Sequence, residues 1–471
     1  MTTTALAPTG STRSTHRWWA LTVLALAEFL VVLDASIVNI ALPALGTQLH
    51  LDTAALAWVI TAYVLPFGGL LLLGGRLADR VGHRRVFLIG VAGFVAASAL
   101  AGLSATGGML LAARAVQGAS AALLAPASLA LLTQLFTSAG DRAKALGVWG
   151  AVAGIGSAAG VLLGGVLTAA LGWQAVFFVN VPVGIVVLAV IPALVGRDPR
   201  AEAQRMDVAG AVTITLGLTA TVAALSSAGQ LGWASPLTLG MAAAALALLA
   251  AFVIVERRAE HPLVPFRFFL NRDAATGNLV MLLAGGATTA LFFALSVYLQ
   301  EVLGYDALTA GVSQLPLAGA LVLVAGVVPT VVSRLGLRST VTGALVVFAG
   351  GILWLAAAGP AATFVGGLLG PSILIGAGLG AVFMTATQLA VDGTEAADSG
   401  LASGLVNTSQ QVGGALGLAI LGSIAAARAA GVSAAGGSTA VALSSGFSWL
   451  FIGAAALAVI GAGVAVVLRR R

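Results

Sequence analysis

Two carboxylates and an arginine lie inside stretches that are otherwise apolar. Glu28 and Asp34 belong to Ala27-Glu28-Phe29-Leu30-Val31-Val32-Leu33-Asp34-Ala35-Ser36-Ile37-Val38-Asn39-Ile40-Ala41-Leu42-Pro43, and Arg114 to Leu111-Ala112-Ala113-Arg114-Ala115-Val116-Gln117-Gly118. A charged side chain near a bilayer centre costs roughly 2.5 kcal/mol or more, so such residues face a wet cavity or a partner and mark ion pathways. Loss of water disfavours the charged form of a carboxyl, which suits a group that loads and unloads protons. Arg114 is the natural partner for these acids, and Gln117 and Gly118 share its helical face by the three-and-four spacing. Glu28 and Asp34, six residues apart, point about 120 degrees away from each other, so they need not share one site. A permanent ion pair with no proton chemistry would use the same residue types.

The elements that must hold these residues are membrane spans. The chain has 471 residues, 59% hydrophobic and 8% charged, with a mean hydropathy of +1.07, which marks an integral membrane protein. Runs of the roughly 20 apolar residues needed to cross a bilayer lie near 18–42, 54–75, 86–104, 107–136, 143–169 and 173–195, then 208–227 and 235–255, then 275–302, 310–333, 340–359, 361–391, 400–427 and 445–468. The 22 Lys and Arg residues fall at the chain ends and in alternate loops, apart from Arg114 and from Arg428 on an expected outer loop. That bias is the positive-inside pattern, so basicity here reports orientation and not nucleic-acid binding. Both termini are expected in the cytoplasm. The first span continues past Asp34 to Pro43 without a short core followed by an A-x-A cleavage site, so it reads as uncleaved. There is no cysteine, hence no disulfide or thiolate metal site. The only lysine is Lys144, without a G-K-[ST] phosphate loop, and the four histidines at 16, 50, 83 and 261 are isolated; ATP-driven pumping, metal binding and enzymatic chemistry are not expected.

Between the second and third spans lies Gly74-Gly75-Arg76-Leu77-Ala78-Asp79-Arg80-Val81-Gly82-His83-Arg84-Arg85. Charge this dense sits outside hydrocarbon, in a tight inner loop. Its spacing resembles the signature loop of the major facilitator superfamily, with Gly75, Asp79, Arg80, Gly82, Arg84 and Arg85 in matching places and His83 where a basic residue is usual. Other stretches are similar to the fourteen-span drug:proton antiporters of that family: the Asp34-to-Pro43 segment of the first span, Arg114-x-x-Gln117-Gly118 in the fourth, and Trp173 to Pro182 opening the sixth. In the fifth span, Gly156, Gly160, Gly164 and Gly165 resemble the antiporter glycine motif, but Val161 stands where that motif has proline, which removes its kink point. Such a stripe lets another helix approach closely. Val332-Ser333-Arg334-Leu335-Gly336-Leu337-Arg338 repeats the R-x-G-x-R of the first loop, which supports an internal repeat.

The resemblance implies an all-α integral membrane protein of the major facilitator fold: fourteen transmembrane helices as two pseudo-symmetric six-helix bundles plus two inserted helices. The expected divisions are a cytoplasmic tail at 1–17, an N-terminal bundle at 18–195, the inserted pair at 196–258, a cytoplasmic linker at 259–274, a C-terminal bundle at 275–468 and a basic end at 469–471. The implied activity is proton-driven export of hydrophobic, cationic drugs from the cell's inner membrane by a monomer, with no cofactor and no ATP. A same-fold carrier of a defined metabolite, lipid or peptide is the alternative, and a non-transporting receptor or scaffold a more distant one. Asp34, Glu28 and Arg114 would carry proton coupling. Asn39, Tyr63, Gln117, Phe292, Phe293, Gln314, Met384, Gln388, Asn407 and Gln411 would line the substrate cavity, and Asp79, Arg80 and Arg84 would latch the halves together, docking on the inner end of the thirteenth helix.

Overall fold

The computed structural model describes residues 10–196, 207–259, 262–264, 266–391 and 399–467. Among them there is no strand, as expected where backbone polar groups must be satisfied without water. The fourteen principal helices are α1 Gly10–Leu49, α2 Thr53–Val81, α3 His83–Gly102, α4 Gly107–Leu135, α5 Ala139–Leu171, α6 Ala175–Leu194, α7 Val208–Leu231, α8 Pro236–Arg258, α9 Arg272–Val302, α10 Ala307–Leu335, α11 Leu337–Ala356, α12 Phe364–Val391, α13 Ser399–Ala434 and α14 Thr439–Val467. Thirteen are long and apolar enough to cross a bilayer, and α5 contributes the apolar stretch Ile155–Leu171. The chain is a multi-pass membrane protein. Residues 1–9 of the expected tail, Arg197, Arg200, Arg205 and the basic end at 469–471 lie outside the described residues.

The internal repeat is written in caps and breaks. Asp52 and Asp306 stand at a common sequence offset, and each accepts a backbone N–H three residues on, from Ala55 and Thr309, at 2.7 Å. These are N-caps of the type that satisfies orphan amides. The helices they start, α2 and α10, are both 29 residues long. The same offset joins Gly82 and Gly336, whose φ of 105° and 81° ends α2 and α10 in a backbone conformation natural to glycine. It also joins Arg84 and Arg338. Each donates to a carbonyl near the end of the sixth helix of its own half, Arg84 to Pro192 at 3.1 Å and Arg338 to Ala465 at 3.3 Å.

The helix pair α7 and α8 sits outside both bundles. The two pack on each other, and α7 also lies against both α2 and α13. Thr215 fills the space over Gly69, and Ser423 donates to the Leu225 carbonyl at 3.2 Å. Glu256, at the end of α8, accepts the N–H groups of Leu263 and Val264 at 3.1 and 3.3 Å. The expected inner loop at 76–85 is helical apart from Gly82, because α2 runs to Val81 and α3 starts at His83. Arg76, in the last turns of α2, donates to the carbonyl of Pro262, so one short segment is held by both the inserted pair and the end of α2.

Arg428 is not on a loop. The run Ala425-Ala426-Ala427-Arg428-Ala429-Ala430 has high helix propensity and no proline, so α13 continues through it to Ala434, and Arg428 donates to Ser445 Oγ at 3.0 Å.

Candidate functional site

Close backbone packing sets where the polar residues of the first half meet. A Cβ on Gly118 would run into the Tyr63 carbonyl, and one on Gly74 into that of Ala122, so α2 and α4 touch almost backbone to backbone. On α1's other side, a Cβ on Gly160 would lie 2.6 Å from Ser36 Cβ, and one on Gly164 2.9 Å from the Ile37 carbonyl oxygen. Gly156 lies opposite Phe29 and Val32. Three of the four motif glycines therefore seat α1. The fourth, Gly165, faces Ala307 and Leu308 of the other half.

The result is a buried network centred on Asp34. Arg114 Nη1 forms an ion pair with Asp34 Oδ2, and donates to Gln117 Oε1 at 3.0 Å. Gln117 Nε2 and Asn180 Nδ2 both donate to Asp34 Oδ1, at 3.0 and 2.9 Å. The same two amides donate to Ser98 Oγ at 2.6 and 3.0 Å. Arg114 Nε donates to the Val59 carbonyl at 3.2 Å, while the guanidinium stacks over the Tyr63 ring at 4.3 Å and lies 5.9 Å from the Phe177 ring centre. Such cation–π contacts add to the pairing where water is absent. Asp34, Gln117, Ser98 and Asn180 are 0% exposed and Arg114 1%. A buried ion pair is tolerable only when its remaining donors and acceptors are served, and five helices do so here: α1, α2, α3, α4 and α6.

Asp34, Arg114, Gln117 and Tyr63 are thus brought together, with Gln117 and Tyr63 on the ion pair. Glu28 stands apart: it is buried, and its Oε2 has no hydrogen-bond partner. Asn39 donates to the Ala35 carbonyl at 2.9 Å, and its own carbonyl accepts from Ser296. Next to it, Gln300 donates to the Ile40 carbonyl at 3.0 Å, so α9 holds α1 at the end remote from the Arg76–Arg85 loop. Phe293 and Gln314 are buried, Phe292 half-buried, and Met384 and Gln388 exposed. Asn407 and Gln411 are half-buried on α13, where the Gln411 Cβ lies over Gly68 of α2. Across the Gly82 break between α2 and α3, Asp79 and His83 are 3.0 Å apart, and His83 meets Gln134 of α4 at 3.0 Å. Arg80 and Arg85 are exposed. A Cβ on Gly75 would meet Pro126 of α4 at an ordinary 3.7 Å. The segment preceding α13, 392–398, lies outside the described residues; at the described start of α13, Gly404 faces Leu72 of α2.

Asn180 and Ser98 were not among the residues expected to act. Asn180 was visible as a lone amide between Phe178 and Pro182 at the start of an apolar run. Ser98, in an Ala-rich helix, carried no sequence signal.

The model of the Major Facilitator Superfamily matches residues 24–418. The chain belongs to the Major Facilitator Superfamily. Among curated relatives of this major facilitator protein, the puromycin resistance protein pur8 of Streptomyces alboniger is 42% identical over 417 residues, covering 87% of this chain and 82% of that one. The cephamycin export protein CmcT of Amycolatopsis lactamdurans is 43% identical over 420 residues, covering 88% and 86%. The crystal structure of an auto-inhibited POT family peptide transporter aligns with a TM-score of 0.70 at 18% identity, over 97% of both chains; that likeness is one of fold. As a major facilitator protein with resistance and export proteins as relatives, this chain is a membrane transporter.

Proposed function

We propose that this major facilitator protein exports hydrophobic, cationic drug-like compounds in exchange for protons. The observation that carries the reading is the Asp34–Arg114 pair, sealed from water among five helices, in a family whose relatives here are named for antibiotic resistance and export. Protonation of Asp34 removes the charge that holds Arg114, leaving the guanidinium with only the Val59 and Gln117 oxygens. The first half then has a reason to repack, and repacking of one bundle against the other is alternating access. Glu28, buried and without a cation among the described residues, serves the substrate's positive charge or a second proton. The protein works as a monomer in the cell's inner membrane, with the basic loops and both termini on the cytoplasmic side. It draws on the proton gradient and needs neither ATP nor a cofactor. The two bundles divide at the inserted pair, α7 and α8.

The test is dye or drug flux in proteoliposomes under an imposed pH gradient. Flux should follow the gradient in the unaltered chain and vanish in Asp34→Asn, while Glu28→Gln should depress transport of cationic dyes more than neutral ones. Gradient-independent flux, or an Asp34→Asn protein that transports as well as the unaltered one, would overturn proton exchange through Asp34.

A further inference from the structure

Resting on that proton-coupled reading, we propose that Asn180 is a positioning residue for the proton on Asp34. Its side-chain amide donates to the carboxylate while Asp34 is charged, and turns over to accept the new O–H when Asp34 is protonated, so that α6 registers the event. The motivating observation is an asymmetry within one amide. Asn180 Nδ2 is doubly used, 2.9 Å from Asp34 Oδ1 and 3.0 Å from Ser98 Oγ, whereas Asn180 Oδ1 is buried with no hydrogen-bond partner. A buried acceptor left empty is costly and calls for an explanation.

Rotation of the amide supplies one. With Asp34 charged, its Oδ1 needs donors, and Gln117 and Asn180 provide them. With Asp34 protonated, the same site needs an acceptor. Turned over, Asn180 places Oδ1 within reach of both the Asp34 O–H and the Ser98 hydroxyl, which continues to accept from Gln117, and Nδ2 takes the place that Oδ1 leaves, where it finds an acceptor only if α6 shifts with the turn. Gln117 cannot do the same, because its Oε1 is held by Arg114, and reversal would set an NH2 group against a guanidinium. Of the two amides on Asp34, only Asn180 is free to turn. The charged and titratable groups around Asp34 are Arg114 on α4, Tyr63 on α2 and, on α1 itself, Glu28. Among the described residues, α3 and α6 bring only Ser98 and Asn180, and α5 only Ser157 against Ser36. The proton forms one O–H bond at Asp34 on arrival from water and breaks it on leaving; Asn180 is neither protonated nor deprotonated.

Asn180 lies in the first turns of α6, two residues before Pro182, which has no backbone N–H to donate.

The experiment is pH-difference infrared spectroscopy of the full-length protein in liposomes, with isotope-labelled asparagine. A carboxyl band that appears on acidification and is absent in Asp34→Asn should be accompanied by a side-chain amide shift that is lost in Asn180→Leu. In Asn180→Leu the carboxyl band should change position, because Asp34 has lost a hydrogen-bond partner in both of its states. Should Asn180→Leu not fold, Ser98→Ala keeps α6 intact and should alter the amide shift. A carboxyl band with no amide shift, or amide and carboxyl signals unmoved in Asn180→Leu and Ser98→Ala, would overturn this proposal alone. A carboxyl band that persists in Asp34→Asn would overturn the proton reading itself and the proposal with it.

Discussion

The two halves repeat their caps, breaks and arginine ties, yet their interiors are opposites. In the first half the centre is ionic: Asp34, Arg114 and three neutral polar side chains, all out of reach of water. In the second half no charged residue lies between Ala274 and Gln300 of α9, between Ala307 and Ser333 of α10, or anywhere in α12 and α14. Its centre is instead a contact of backbones. A Cβ on Gly413 of α13 would run into the carbonyl of Leu282, one on Gly285 of α9 into that of Gln410, and Gly286 and Gly417 face each other across the same seam. The offset that matches Asp52 to Asp306 carries Asp34 to Thr288, a buried hydroxyl with no partner. Both halves use close backbone packing, and the second pairs Asp273 with Arg338 at its end. Among the described residues, only the first carries a fully buried ion pair at its centre, and the proposed proton exchange is assigned there.

The largest effect should come from removing one ion. Arg114→Ala leaves Asp34 buried without its cation, which costs on the order of 3–5 kcal/mol. We expect a lower unfolding temperature in detergent and no flux at neutral pH. Acid should partly restore stability, since a protonated Asp34 needs no cation. A variant as stable as the unaltered chain at neutral pH would mean that the pair is not what holds the first half.

Gly413→Ala probes the other half. Forcing a methyl against a backbone carbonyl costs about 1–3 kcal/mol and should slow transport, but the pH at which transport is half-maximal should not move, because the packing there carries no titratable group. A shifted pH profile would break the division between the halves.

The smallest effect concerns the matched caps. Hydrogen bonds from the Thr309 side chain and backbone hold the exposed Asp306 carboxyl below its ordinary value of 3.8. Because the folded value is the lower one, the cap's contribution is complete above the ordinary value and is lost as pH falls through the depressed one. Thermal unfolding of Asp306→Asn against the unaltered chain should therefore differ above pH 4 and converge in stronger acid; a difference that persists there would remove the carboxylate from the cap.

Much of this was legible in the sequence. Span positions follow from apolar run length, and the Arg76–Arg85 loop resembles a family signature that the family match bears out. Asp34 and Arg114 announced themselves because charge in an apolar run has few explanations. What escaped was of two kinds. Asn180 and Ser98 are neutral, and a neutral polar residue in a membrane helix is too common to single out. Tyr63 and Gln117 were read as cavity lining, since nothing in a near-uniform apolar helix tells which face meets a neighbour and which meets water.

By itself, then, the sequence determined the apolar spans, the repeat and the types of ion available, because these depend on composition summed along the chain. Only the tertiary structure decided that Asp34 is served by residues 80 and 146 positions away, that Glu28 is not, and that α7 rests on both α2 and α13. Those outcomes depend on which helix backbones can approach, and that is fixed by glycines meeting particular carbonyls and side chains of distant helices, a property of pairs of surfaces that no single segment contains.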